Sequence, residues 1–294
     1  MRALLLSVAV IALVAAAPPK KPVPNDIIAA APASAWRTIP ADDLMVMTLE
    51  GGGRVVVQLA PAFAPVHVAN IRKMALGTYW QGAAVYRVQD NYVAQWGINE
   101  VKRDLPAGAV AKPPHEYWRS PRGLAITPLG SPDSYAIGAG FSGGWPVARY
   151  KDGSVSTPHC YASVGVARDL HPDTGTGGEL YAIIGHAPRQ LDRNIAVVGR
   201  VIAGIDQLSS LTRGGEAMGF YKGAAVAKAI SGVTLASAMP AASRPSFQMM
   251  DTASASFARY LRIKKNRDDD FYRVAAGGVD LCNVPVPIRP TPGS

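Results

Sequence analysis

The chain has 294 residues, 48% of them hydrophobic and 17% charged, with a net charge of +9. That length suits one large domain, or one domain with an extension, and the composition is that of a globular chain able to bury a core. The positive charge is spread along the sequence. Its one compact group, residues 259–267, is followed at once by Asp268, Asp269 and Asp270. A nucleic-acid footprint is therefore excluded, and the charge reads as a solubility property with some affinity for anionic surfaces.

Residues 1–17 combine Arg2, an apolar run and an A-x-A ending before Pro18-Pro19, the pattern of a cleaved secretory signal peptide. The run is shorter than the ~20 residues of a spanning helix, so no stable membrane insertion is expected after cleavage. Residues 18–41, rich in Pro and Ala, read as a linker. Leu44–Leu49 and Arg54–Leu59 are apolar strands, joined by three glycines that supply the positive φ of a hairpin. No Gly-Lys-Ser/Thr follows them, so they form no phosphate loop. Pro65 opens a helix with Val68, Ile71 and Ala75 on one face and Gly77 as its C-cap. Residues 85–97, V-Y-R-V-Q-D-N-Y-V-A-Q-W-G, read as strand, turn, strand. Alternation then brings Arg87 and Gln95 to one side of the sheet with Tyr92 between them. A guanidinium fork, an amide and an aromatic wall on one face suit a peptide.

Residues 98–158 are rich in Gly and Pro and weakly periodic, and read as an extended loop insertion. Within them Gly140-Phe141-Ser142-Gly143-Gly144 matches the G-x-S-x-G nucleophile elbow. That motif requires a following helix, which Gly144-Trp145-Pro146 starts poorly, so a glycine-rich loop is expected instead. Residues 163–167 are a strand. A second helix runs from Gly204-Ile205-Asp206 through Leu211, and two short strands, 224–230 and 233–236, follow it. In the extension, residues 239–294, Ala253, Phe257, Tyr260 and Leu261 recur at helical spacing; the helix is expected to pack back on the body of the protein, with partner docking as the alternative.

The stretch 85–97 resembles the signature of cyclophilin-type peptidyl-prolyl isomerases, roughly F-H-R-x-I-x-x-F-x-x-Q-G-G. Arg87, Tyr92 and Gln95 fall on that family's catalytic arginine, pocket phenylalanine and backbone-holding glutamine. Other segments agree in order. Ala64-Pro65, Val68 and Asn70-Ile71 resemble the family's A-P-x-x-V-x-N-F helix, and Gly77-Thr78-Tyr79 its connector. Residues 177–184 sit where the family has G-S-Q-F-F-I, Leu191-Asp192 match L-D, residues 197–201 match V-F-G-x-V, and Gly204-Ile205-Asp206 match G-M-D. The resemblance implies a mainly β fold: a closed eight-stranded antiparallel barrel capped by two α-helices over residues 42–238, with the insertion and the extension added.

It also implies peptidyl-prolyl cis-trans isomerase activity on proline-containing polypeptides during the folding of exported, periplasmic or secreted proteins, by a monomer without cofactor. Arg87 and Gln95 become the catalytic pair, and Tyr92, Val93, Ala167, Leu180, Ala182, Leu191 and Ile195 the substrate groove. The departures concern that groove. Leu180 stands for the family's groove glutamine, Ala182 for a wall phenylalanine, Gln190 for a tryptophan and Ile195 for a histidine, which implies a wider, less aromatic pocket. A non-catalytic peptide-binding module or chaperone on the same fold is the alternative. Cys160 and Cys282 are expected to pair, since an exported chain with few, even cysteines often does so. The five histidines show no metal-ligand spacing.

Overall fold

The structure, a computed structural model, describes residues 21–98, 103–223 and 225–293. The expected signal peptide, the first residues of the expected linker and Ala224 lie outside them, as do residues 99–102 of the insertion. The elements in chain order are α1 (Pro24–Ala29), β1 (Trp36–Thr38), β2 (Leu44–Leu49), β3 (Arg54–Leu59), α2 (Pro65–Ala75), β4 (Ala84–Val88) and β5 (Val93–Gly97). Then come β6 (Thr127–Pro128), β7 (Gly138–Ser142), β8 (Trp145–Arg149), β9 (Val155–Ser156), β10 (Ser163–Val166), β11 (Leu180–Ile183) and β12 (Val197–Ala203). The chain ends with α3 (Ile205–Ser209), β13 (Lys228–Leu235), β14 (Phe247–Met250), α4 (Ala255–Lys265) and β15 (Ile288–Pro290).

Eight strands close an antiparallel barrel in the order β10-β11-β5-β4-β13-β2-β3-β12. Inward residues alternate along each strand: Met45, Met47 and Leu49 on β2, Val55, Val57 and Leu59 on β3, Ala94 and Trp96 on β5. Helix α2 adds Val68, Ile71 and Met74 to this core and α3 adds Leu208, so both helices are held by burying one face. The β2–β3 turn takes left-handed conformations at Gly51 (φ 84°) and Gly52 (φ 90°), which explains the glycines there. Strands β2 and β3 read as continuous apolar runs because their outer faces are covered as well: Leu44, Val46 and Val56 pack with Phe247 and Met249 of β14.

Several expectations about the remainder need correction. The stretch expected as a linker holds α1 and β1, with Ile27 and Trp36 buried. The insertion is no bare loop: β6-β7-β8-β9 form a four-stranded sheet. The G-F-S-G-G motif is the β7–β8 hairpin, in which Ser142 pairs with Trp145 across Gly143 (φ 56°) and Gly144 (φ 85°). A two-residue hairpin turn of type I′ needs positive φ at both positions, which accounts for the two glycines and leaves no nucleophile elbow. A second sheet, β1-β14-β15, joins the N-terminal segment to the extension.

These pieces share a second hydrophobic core. Ile27 and Trp36, Leu129 and Phe141, and Phe257, Tyr260 and Leu261 come from the N-terminal segment, the insertion and α4 respectively. Helix α4 therefore packs on the insertion, with the Phe257 and Phe141 rings 5.0 Å apart edge to face. It begins later than Ala253, because Ser254 caps it by accepting from Phe257 N–H. Near α2, Gly77 does not adopt the left-handed C-cap conformation; Leu76 ends the helix in the right-handed region. Helix α3 stops at Ser209, short of Leu211, and the two short strands expected after it are one continuous strand, β13. Cys160 and Cys282 form a disulfide across 122 residues of sequence, tying the extension to the start of β10.

The insertion also finishes α2. Glu116 Oε1 accepts from Val66 N–H and Oε2 from His67 N–H, both at 2.9 Å, and Oε2 lies 2.6 Å from His67 Nδ1. A carboxylate on the first-turn amides satisfies donors that the helix itself cannot and suits its dipole. Burial pushes the Glu116 carboxyl up, but the His67 ring and the two amides outweigh it and hold it below the usual glutamate value.

Candidate active site

The β4–β5 hairpin builds the site. Tyr92 N–H donates to Gln89 O at 3.2 Å, closing a turn in which Asn91 takes φ 50°; asparagine tolerates that conformation better than most residues. The register shifts between Val85↔Trp96 and Arg87↔Gln95, so β4 carries a bulge at Tyr86. The extra residue turns both Tyr86 and Arg87 to the outer face. Gln95 then bridges them: its Oε1 accepts from Arg87 Nη1 at 3.0 Å, and its Nε2 donates to the Tyr86 hydroxyl at 2.5 Å.

Arg87 is fixed by neutral groups only. Its Nε donates to Met218 O at 2.8 Å, Nη1 to Gln95 and Nη2 to Gln89 Oε1 at 2.6 Å. The guanidinium sits 5.4 Å from the Phe220 ring centre and 5.9 Å from that of Tyr92. Burial lowers its pKa below the ordinary value, yet an arginine stays charged at neutral pH. A part-buried cation held by carbonyls and rings keeps its charge uncompensated, and two of its five N–H groups remain unspent. Met218 and Phe220, 131 and 133 positions along the chain, give no local signal in the sequence.

Beside Arg87 lies one apolar surface: Val93, Tyr181 and Ile183 at its centre, with Tyr92, Ala167, Leu191 and Ile195 against them. Five of the expected groove residues are thus brought together. Leu180 and Ala182 are not. Both are fully buried in the barrel core, facing away from the groove. Their placement slipped by one residue, and in a strand such a slip exchanges the two faces. Tyr181 is the groove residue, paired with Gln95 as Gln95 is with Arg87, so Arg87, Gln95 and Tyr181 form one rung across three strands. The surface accordingly keeps two aromatic rings, Tyr92 and Tyr181, against the expectation of a less aromatic pocket. Gln190 contributes its carbonyl to Asn194 Nδ2 at 3.1 Å.

Tyr181 is itself held. Its ring lies over Gly165, its partner on β10, where a Cβ would collide with the phenol. Its hydroxyl is 3.1 Å from His159 Nε2, and the rings stack at 6.3 Å. His159 Nδ1 lies 3.1 Å from Asp192 Oδ1, Asp192 Oδ2 accepts from Arg189 Nε at 2.5 Å, and Arg189 reaches Asp133 of the insertion with both terminal nitrogens. A satisfied buried chain of this kind fixes its end group in place. Among the described residues, no group of three or more His, Cys, Asp or Glu side chains is placed to hold a metal ion.

Comparison with known proteins follows from this geometry. The family model described as cyclophilin type peptidyl-prolyl cis-trans isomerase/CLD matches residues 44–230. Proteins of Brucella suis and Brucella melitensis, each named "Probable peptidyl-prolyl cis-trans isomerase", are 26% identical over 178 residues, covering 60% of this chain and 74% of theirs. The crystal structure of a cyclophilin from Hirschia baltica superposes with a TM-score of 0.69 at 22% identity, covering 92% of this chain and 98% of that one. The likeness in fold therefore takes in more than the barrel. With the barrel, the bulged hairpin and a family match over most of the chain, this protein belongs to the cyclophilin-type peptidyl-prolyl cis-trans isomerases.

Proposed function

We propose that the protein accelerates cis-trans rotation of X-Pro bonds in polypeptides, with Arg87 as the catalytic donor. The observation that carries this reading is the uncompensated Arg87 guanidinium beside the Tyr92 and Tyr181 rings. Rotation about the peptide bond faces ~18–20 kcal/mol because the amide is conjugated. A catalyst need only favour the twisted state, in which the prolyl nitrogen turns pyramidal and regains its lone pair. An N–H of Arg87 donates to that lone pair and weakens the conjugation. The aromatic and aliphatic surface holds the prolyl ring, and Gln95 keeps the guanidinium in register while its remaining amide hydrogen faces the neighbouring backbone. A millionfold acceleration needs about 8 kcal/mol of preferential stabilisation, and a preorganised charged donor in a shielded site supplies a large part of it.

The place of action in this reading is outside the cytosol, on exported clients. The leader-like residues 1–17 and the Cys160–Cys282 bond support it, since disulfides persist in oxidising compartments. The test is NMR exchange on a short X-Pro peptide with the whole chain and with Arg87→Ala. Acceleration is expected from the first, reduced about 10²–10³-fold in the second, as for loss of one preorganised donor. No acceleration from either, with peptide binding retained, would replace catalysis by recognition alone.

A further inference from the structure

On the outer face of β10 and β12, around the barrel from the Arg87 rung, a cavity of about 250 Å³ lies where the barrel, the insertion and the extension meet. Its walls are mostly apolar, from Trp145, Ile202, Val284 and Val286, with the Cys160–Cys282 bond along one side. One charged group on its wall lacks a matching partner. Arg200 donates through Nε and Nη2 to the neutral Gln58 Oε1, at 3.0 and 2.8 Å, and its guanidinium lies 4.5 Å over the Trp145 ring. Burial alone, with no acidic neighbour to offset it, pulls its pKa down to about 9. It therefore remains a cation at neutral pH, short of a counter-charge. Thr157 lines the same cavity, but its hydroxyl, which has no hydrogen-bond partner, is closed off from the open space. The Ser163 hydroxyl on the same wall is already bonded to Pro158 O and Cys160 N–H.

A shielded cation without an anion costs free energy unless a ligand completes it. Apolar walls with few convergent polar groups are the usual make-up of a small-molecule site, and the volume falls just under the ~300–1,000 Å³ of sites for drug-sized ligands. We propose that this cavity binds a small apolar carboxylate, its anionic head on Arg200 and its apolar body against Ile202, Val284 and Val286. The site is independent of the isomerase reading, because none of its residues belongs to the Arg87 groove.

Calorimetric titration of the whole, disulfide-bonded chain with octanoate, and with 1-octanol as its uncharged counterpart, tests the proposal. Octanoate is expected to saturate one site and to bind about tenfold or more tightly than 1-octanol, the margin of a shielded charge-assisted contact. Arg200→Met, which keeps most of the stem volume, is expected to remove that margin. Absence of saturable octanoate binding would overturn the proposal. So would equal affinity for the two compounds, a comparison made on the unaltered chain and therefore independent of whether a variant folds.

Discussion

The barrel and the second core are both closed hydrophobic interiors, yet they are encoded in opposite ways. Neighbouring barrel strands often follow one another, as β2–β3 and β4–β5 do, joined by short turns. The second core draws on α1 and β1 near the start, β7 in the middle and α4 near the end. Strand β1 pairs with β14 more than two hundred residues away, Trp36 against Met250. In the barrel, short turns fix β2–β3 and β4–β5, and the seams β3–β12, β4–β13 and β13–β2 then close across long stretches of chain. In the second core, long loop closure is met by burial, by the β1–β14 pairing and by one covalent tie. The lesson is that the tie and the interlocking aromatic contacts matter most where the chain is least local.

The largest effect should follow from removing that tie. Cys282→Ser frees a loop of 122 residues, worth about 5 kcal/mol in the chain-entropy model. Denaturant unfolding of the variant should show the second core melting ahead of the barrel, whereas one unchanged cooperative transition would break the contrast. Next, Phe257→Ala removes a fully buried ring packed on Phe141 and Tyr260. A loss of about 3–5 kcal/mol is expected, by the same measurement.

A smaller effect is expected at the seam between the two regions. Glu116→Gln keeps the shape but loses the charge on the first turn of α2, costing about 1 kcal/mol at neutral pH. The sign of its pH dependence is fixed. Because the folded carboxyl titrates below its ordinary 4.5, its stabilisation is complete above that value and is lost as the pH falls through the lower, folded one. The difference in stability between wild type and Glu116→Gln should therefore shrink on acidification below about 4.5. A constant difference across that range would remove Glu116 from the list of pH-linked groups.

The same contrast governs how much was legible in the residues. The β2–β3 turn glycines and the Arg87–Gln95 pairing follow from alternation and short turns, and the closed barrel from the resemblance to the cyclophilin-type family. The slip at β11 has a local cause. Leu180-Tyr181-Ala182-Ile183 is apolar throughout and buried on both faces, so its alternation carries no polar mark to say which side is inside. Only the rung with Gln95 assigns Tyr181 to the groove. The holders of Arg87 at Met218 and Phe220 and the segments of the second core are joined by contacts across long sequence separations, which no local pattern records. Residues 18–41 read as a linker because Pro and Ala dominate them; the buried Ile27 and Trp36 that anchor them are isolated among those residues.

The most direct single measurement on the groove is NMR shift mapping with a short X-Pro peptide bound to the whole chain. Perturbations should centre on the side chains of Tyr92, Tyr181, Ile183, Leu191 and Ile195, with the Leu180 and Ala182 methyls far less affected. Strongest shifts at Leu180 and Ala182, with Tyr181 silent, would contradict the Arg87–Gln95–Tyr181 rung as the peptide's seat.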